Sequence, residues 1–256
     1  MKIQFELIQN INFFQEIGIG LHRRTYQAGE SGFCIKIPHP NQFSPIILYL
    51  METECLMYQI SEHWGFEAVP ATDVLLPGSK MLKEISSSFK KHLPNAPISY
   101  PILIQKYIPE ANVEIDISHA QKVVIFNWIT GRQDRTQKNS ISNKEGKIFE
   151  IDNELTFTHI LQPCNPHWLL GNEKVALTPL KNAFVEEILN LPEDLELNLM
   201  RIPNKGSKDG TELQLVENQV IKNLKILKRI IQNQSSIITL DSLQKIFEMK
   251  DDFNKK

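Results

Sequence analysis

The sequence predicts an α+β chain folded as two lobes, the first rich in strands and the second mainly helical. Three observations carry this expectation. Apolar, β-rich segments crowd the first forty residues, a helical segment and further strand segments follow as far as residue 108, and most of the remainder has helical character. The 256 residues are enough for one large core or two modest lobes. The split is expected near 109–116, which gives lobes at 1–110 and 111–256.

Residues 11–19 (INFFQEIGI) and 32–37 (GFCIKI) read as strands separated by a turn at Ala28–Gly32. Pro38, His39 and Pro40 end the second of them. A helix is expected over 46–63, with Ile47, Leu50, Met51, Cys55, Met57, Tyr58 and Ile60 as its apolar positions and Gly65 as its stop. Residues 73–85 read as a strand or hairpin, 86–101 as a loop and 102–108 (ILIQKYI) as a strand. A buried helix over 117–130 runs into the polar stretch GRQDRTQKN. Strands at 139–142 and 147–151 follow, joined by SNKEG. Thr178 as N-cap with Pro179 at the first helical position predicts a helix over 179–190. Residues 203–210 read as a linker, and 211–249 as two helices broken near Ser235. The stripe Leu213, Val216, Val220, Leu224 and Leu227 has the spacing of a packing face.

A formal charge of -2 gives no reason to expect a nucleic-acid partner held by bulk charge. The three cysteines, Cys34, Cys55 and Cys164, are scattered and form no C-x-x-C pair, so neither a zinc ribbon nor a disulfide framework is expected, and a reducing compartment fits. No run of eighteen apolar residues predicts a membrane span, and the N-terminal MKIQFELIQNINFF lacks the apolar core of a signal peptide. A cytoplasmic monomer is the expectation. The abundance of Lys, Ile, Asn and Gln together with the small size also suggests a bacterial effector exported into a host cell.

Four elements follow one another in an order that suits phosphoryl transfer: Gly18-Ile19-Gly20, Lys36 in FCIKIP, Glu54 in the next helix, and far downstream D-R-T-Q-K-N (134–139) with I-D-N (151–153). Glycines let a backbone approach phosphates and offer N–H donors. A strand lysine neutralises the inner phosphates, and a helix glutamate holds that lysine. An aspartate, Asp134, orients and deprotonates the acceptor hydroxyl, while Asn139 and Asp152 offer oxygen ligands to Mg²⁺ or Mn²⁺. The D-x-x-x-x-N spacing sets a carboxylate and a metal-ligating amide at opposite ends of one short loop, as in the protein-kinase catalytic loop. The hairpin after it returns Asp152 toward Asn139.

These segments resemble the phosphatidylinositol 3/4-kinase-like branch of the kinase superfamily, particularly its small bacterial, atypical protein kinase members. KVVIFNWITGRQDRTQKNSI resembles that branch's catalytic loop, and KIFEIDNELTF resembles its I-D-N-x-L-x-F metal motif. ETECLMYQISEHWGFEAVPAT resembles the helix bearing the paired glutamate and the strand after it, which favours Glu54 over its neighbour Glu52. ILIQKYIPEA resembles the hinge strand, and FVEEILNLPEDLELNLMRI a C-terminal segment. The likeness covers roughly residues 17–202. It implies a two-lobed protein-kinase-like fold with ATP in the cleft and adenine at Gln105–Tyr107. The chain departs from the pattern at three points: Arg132 stands where asparagine is usual, Lys138 where a glycine commonly precedes the metal asparagine, and Arg23 where a third glycine of the loop is expected. Arg23 or Arg24 then becomes an alternative phosphate contact.

Each residue alone has an ordinary explanation: Lys36 as an edge-strand lysine, Gly18 and Gly20 as turn glycines, Asp134 and Asp152 as loop caps. His22, His39, His63, His159 and His167 lack metal-ligand spacing and read as surface or packing residues, and Cys164 with His167 is not a recognised dyad. Taken jointly, the constellation points to an ATP-dependent kinase that phosphorylates a hydroxyl, with a protein as the expected substrate. A phosphoinositide kinase, a pseudokinase acting as a binding module and an AMP-transferring enzyme are the alternatives.

Overall fold

A computed structural model describes residues 14–19, 23–29, 31–39, 45–92, 101–133, 136–152, 156–157, 160, 167–197, 209–235 and 237–254. Among them the chain is α+β, with a five-stranded antiparallel sheet, a separate two-stranded hairpin and seven α-helices. It divides into two compact units. The first comprises residues 1–58, 69–108 and 199–204, and the second 59–68, 109–198 and 205–256.

The first unit is built on β1 (Phe14–Ile19), β2 (Arg23–Ala28), β3 (Phe33–Pro38), β4 (Thr72–Leu75) and β5 (Ile102–Lys106) in the order β1-β2-β3-β5-β4. Two helices accompany them, α1 (Pro45–His63), whose last turn groups with the second unit, and α2 (Lys80–His92). The two-residue period of a strand sends alternate side chains to opposite faces. Phe33, Ile35 and Ile37 of β3 and Ile102 and Ile104 of β5 therefore share a core with Leu82 and Ile85 of α2. Leu103 turns the other way and packs with Leu50, Met51 and Cys55 of α1. Lys36 lies between Ile35 and Ile37, and so belongs to the α1 side.

Within this unit, two elements differ from the sequence reading. β2 is an additional strand before the turn. In RRTYQA only Tyr26 and Ala28 are apolar and buried, so little in its composition signals a strand, and its pairing with both β1 and β3 creates it. Residues 80–92, read as the end of a strand and a loop, form α2. The Ser79 hydroxyl accepts the Leu82 N–H at 3.2 Å, an N-cap, and the helical spacing of Leu82 and Ile85 buries both against the sheet. The tip of the expected loop, 93–100, lies outside the described residues, as do 11–13 of the first expected strand and 203–208 of the linker.

In the second unit the central element is α3 (Ile117–Thr130), buried from His119 onward except at Lys122. Asp116 caps its N-terminus by accepting the His119 N–H at 3.1 Å. The hairpin strands β6 (Ser140–Ser142) and β7 (Ile148–Glu150) follow. Gly146 in their turn has φ of 76°, and a Cβ there would collide with the Glu114 carbonyl oxygen. The remaining helices are α4 (Glu173–Leu177), α5 (Asn182–Asn190), α6 (Asp209–Gln232) and α7 (Leu240–Asn254). Thr178 ends α4, and Lys181 stands at the N-cap position of α5, which therefore starts later than the sequence suggests. Val220, Leu224 and Leu227 of the α6 stripe are buried, whereas Leu213 and Val216 are half-buried. Trp128 of α3 meets Phe247 of α7 edge-on. No helix among the described residues is long and apolar enough to cross a membrane.

Candidate functional site

In the first unit, Lys36 Nζ donates to Glu54 Oε2 at 2.7 Å. The other carboxylate oxygen, Oε1, pairs with Arg23 Nη2 at 2.6 Å. Strand alternation produces this arrangement. Thr25 of β2 pairs with Lys36, which puts Arg23, two residues earlier, on the face that α1 covers. Glu54 is completely buried, and the side chains of Arg23 and Lys36 are nearly so. Burial alone would push the Glu54 carboxyl up, but the charges of Lys36 and Arg23 outweigh it and hold the group below the usual carboxylate range. Arg23, the residue at the missing glycine, is thus a partner of the helix glutamate.

The other first-unit positions are placed as follows. Gly18 lies in β1 opposite Thr25, just past a bulge after Glu16, and a Cβ there would make only ordinary contact. Gly20 lies outside the described residues. The Gln105 side chain is buried and donates to Thr72 Oγ1 at 2.9 Å, while the Tyr107 N–H donates to the Gly32 carbonyl at 2.8 Å. Cys34 and Cys55 are free thiols, both buried, and burial pushes Cys34 up to about 11, so it is no nucleophile at neutral pH.

In the second unit, α3 ends in a Schellman turn. Gly131, with φ of 64°, donates to the Trp128 carbonyl, and the Arg132 N–H reaches back to the Asn127 carbonyl at 3.0 Å. This reversal turns Arg132 inward, where it is fully buried. Asp134 lies outside the described residues. Asn139 closes a single 3₁₀ turn and Asp152 follows β7, and both are half-buried. The Ile151 N–H donates to the Asn139 carbonyl at 2.8 Å, which joins the backbone on either side of the hairpin where these two residues stand. Asp152 has φ of 58°, a left-handed conformation that costs energy in a non-glycine residue and clusters at functional positions.

The sequence matches no known family model and has no match among curated proteins.

Sequence reasoning missed Glu150 and the part played by His167. Arg132 forms an ion pair with Glu150 Oε2, and neither side chain touches solvent. Glu150 Oε1 accepts from Ser140 Oγ at 3.1 Å and lies 3.2 Å from His167 Nε2. Since His167 Nδ1 accepts the Leu169 N–H, the hydrogen-bond network puts the imidazole proton on Nε2, which donates to Glu150. Trp168 Nε1 in turn donates to Ser140 Oγ at 2.9 Å. The available signal was Glu150 itself, a carboxylate two residues along β7 from the buried Ile148 and so on the same face.

Asn139 and Asp152 offer an amide and a carboxylate oxygen at paired ends of one hairpin. Magnesium takes hard oxygen ligands, keeps several waters and needs only one or two protein carboxylates beside the phosphates. That donor set fits such a cation. No cluster of three His, Cys, Asp or Glu side chains among the described residues suggests a metal held by protein alone.

Proposed function

We propose that this chain is an ATP-dependent phosphotransferase of two-lobed, protein-kinase-like fold, an atypical Ser/Thr protein kinase that moves the γ-phosphoryl group of ATP to a protein hydroxyl. The observation that carries the reading is the Lys36–Glu54 pair. A lysine on an interior strand of an antiparallel sheet, gripped by a buried glutamate of the facing helix, is the arrangement that fixes a cation for inner phosphates. The strained Asp152 beside Asn139 supports it independently, since both supply hard oxygens after the D-x-x-x-x-N spacing.

In this mechanism Lys36 binds the inner phosphates, and Glu54 holds its ammonium in one place. Asp134 orients the acceptor hydroxyl and takes its proton as the hydroxyl oxygen bonds to the γ-phosphorus. The bond from that phosphorus to the bridging oxygen breaks, and ADP leaves with the electron pair. Asn139 and Asp152 would hold Mg²⁺ or Mn²⁺, which when bound neutralises charge on the phosphate oxygens. The test is label transfer from γ-labelled ATP to protein and phosphoinositide acceptors. Label in protein supports the reading, and label in lipid alone replaces it with a lipid kinase. Transfer of label only from α-labelled ATP makes the chain an AMP transferase, and absence of any transfer removes the enzyme.

A further inference from the structure

We propose that Arg132 is a positioning residue, a buried guanidinium that ties the end of α3 to both sides of the β6–β7 hairpin and thereby fixes Asn139 and Asp152 relative to each other. The proposal rests on the reading of those two residues as metal ligands. Arg132 Nη2 donates to the Ile151 carbonyl at 2.9 Å and makes a longer contact, 3.5 Å, to the Asn139 carbonyl. The Ile151 carbonyl belongs to the peptide that leads into Asp152. Gripping that peptide plane restrains the bond about which Asp152 takes its left-handed φ. A residue in that region keeps its conformation only where its surroundings impose it.

The guanidinium is itself held. Glu150 pairs with it from β7, and Ser140, next to Asn139, donates to Glu150 from β6. His167 donates to the same Glu150 oxygen, and Trp168 donates to Ser140, so the turn that begins at His167 supports the hairpin from outside. A buried charge cluster of this kind gains little stability over apolar packing. What it supplies is direction, because the planar guanidinium presents donors in a fixed fork, whereas an ammonium is a point charge on a flexible stem. The Schellman turn at Gly131 sets where that fork points.

The test is calorimetric titration of the full chain with ATP over a series of Mg²⁺ concentrations, for wild type, Arg132→Lys and Ser140→Ala. Arg132→Lys keeps a cation opposite Glu150 but loses the fork. The Mg²⁺ needed for half-maximal ATP affinity should rise about tenfold or more, the usual cost of losing a partner behind a metal ligand. ATP affinity without metal should stay unchanged, which a general loss of structure would not produce. Ser140→Ala, a milder change, should raise the Mg²⁺ requirement in the same direction, and it decides the matter should Arg132→Lys lack a cooperative melt. An unchanged Mg²⁺ requirement in folded Arg132→Lys, or in Ser140→Ala when it is the deciding variant, overturns the positioning role and leaves the metal site standing. Wild-type protein whose ATP binding ignores Mg²⁺ overturns the metal reading and the positioning role together.

Discussion

Arg132 and Glu150 pair at the base of the β6–β7 hairpin with neither side chain exposed to solvent. Truncating one partner strands the other charge in the interior. Arg132→Ala or Glu150→Ala should each cost about 3–5 kcal/mol in urea unfolding. The joint replacement Arg132→Met with Glu150→Leu should recover most of that loss, because it removes both charges and keeps the volume. Single-variant losses that simply add in the double variant would contradict a coupled pair.

Glu54 serves two cations, so the three members of that cluster differ in what their loss leaves behind. Glu54→Ala leaves Lys36 and Arg23 buried side by side, and should cost about 3–5 kcal/mol. Lys36→Met leaves Glu54 paired with Arg23 and should cost clearly less, while abolishing measurable ATP affinity. Urea melts order the two variants. A Lys36→Met protein that is less stable than Glu54→Ala would reverse the argument.

His119 makes the fold acid-sensitive. Its Nδ1 accepts the Ile148 N–H at 3.1 Å. Burial pushes the imidazole down from 6.5 to about 4, with Lys147 adding to the effect and Asp116 and Glu67 opposing it. Between those two values the unfolded chain carries a proton that the folded chain refuses. Stability therefore falls as pH falls through this window, by roughly 1.4 kcal/mol per pH unit. Glu54 acts lower. Its depressed carboxyl contributes stability that is present above its ordinary value of 4.5 and is lost as pH drops through the lower folded value. Melting temperatures from pH 7 to 4 should decline steadily in wild type and be flatter above pH 5 in His119→Gln. Identical slopes would remove His119 from the account.

The two aspartates should separate binding from chemistry. Asp134→Ala should lower turnover by about 10²–10⁴-fold with ATP binding retained. Asp152→Ala should lose the Mg²⁺-dependent part of ATP binding as well. Steady-state rates and nucleotide titrations on the same preparations check both, and retained turnover in the two variants would mean the site is misassigned.

The Lys36–Glu54 relationship was legible because it rests on local periods. Apolar neighbours bury Lys36 in its strand, and helical spacing sets Glu54 beside Leu50, Met51 and Cys55 on the face that meets the sheet. β2 was not, since Arg23, Arg24, Thr25 and Gln27 make it polar and only tertiary pairing defines it. The α2 segment reads as strand and loop because its serines suit a loop and its apolar residues are few, while the decisive Ser79 cap is a matter of geometry. The cluster of Arg132, Glu150 and His167 was illegible because no apolar period or motif marks its members, although successive members are no farther apart than Lys36 and Glu54. A buried charge carries no mark until its partner is known, and Arg132 was visible only as a departure from asparagine.

The proposed activity requires both Lys36 and Asp152 for ATP binding in the presence of Mg²⁺. It is tested most directly by calorimetric titration of ATP with and without Mg²⁺ into wild type, Lys36→Met and Asp152→Ala. The account predicts Mg²⁺-dependent binding in wild type, no measurable binding in Lys36→Met, and in Asp152→Ala only the weaker, metal-independent component. Wild-type protein that gives no binding heat under either condition, or variants that bind as wild type does, would contradict it.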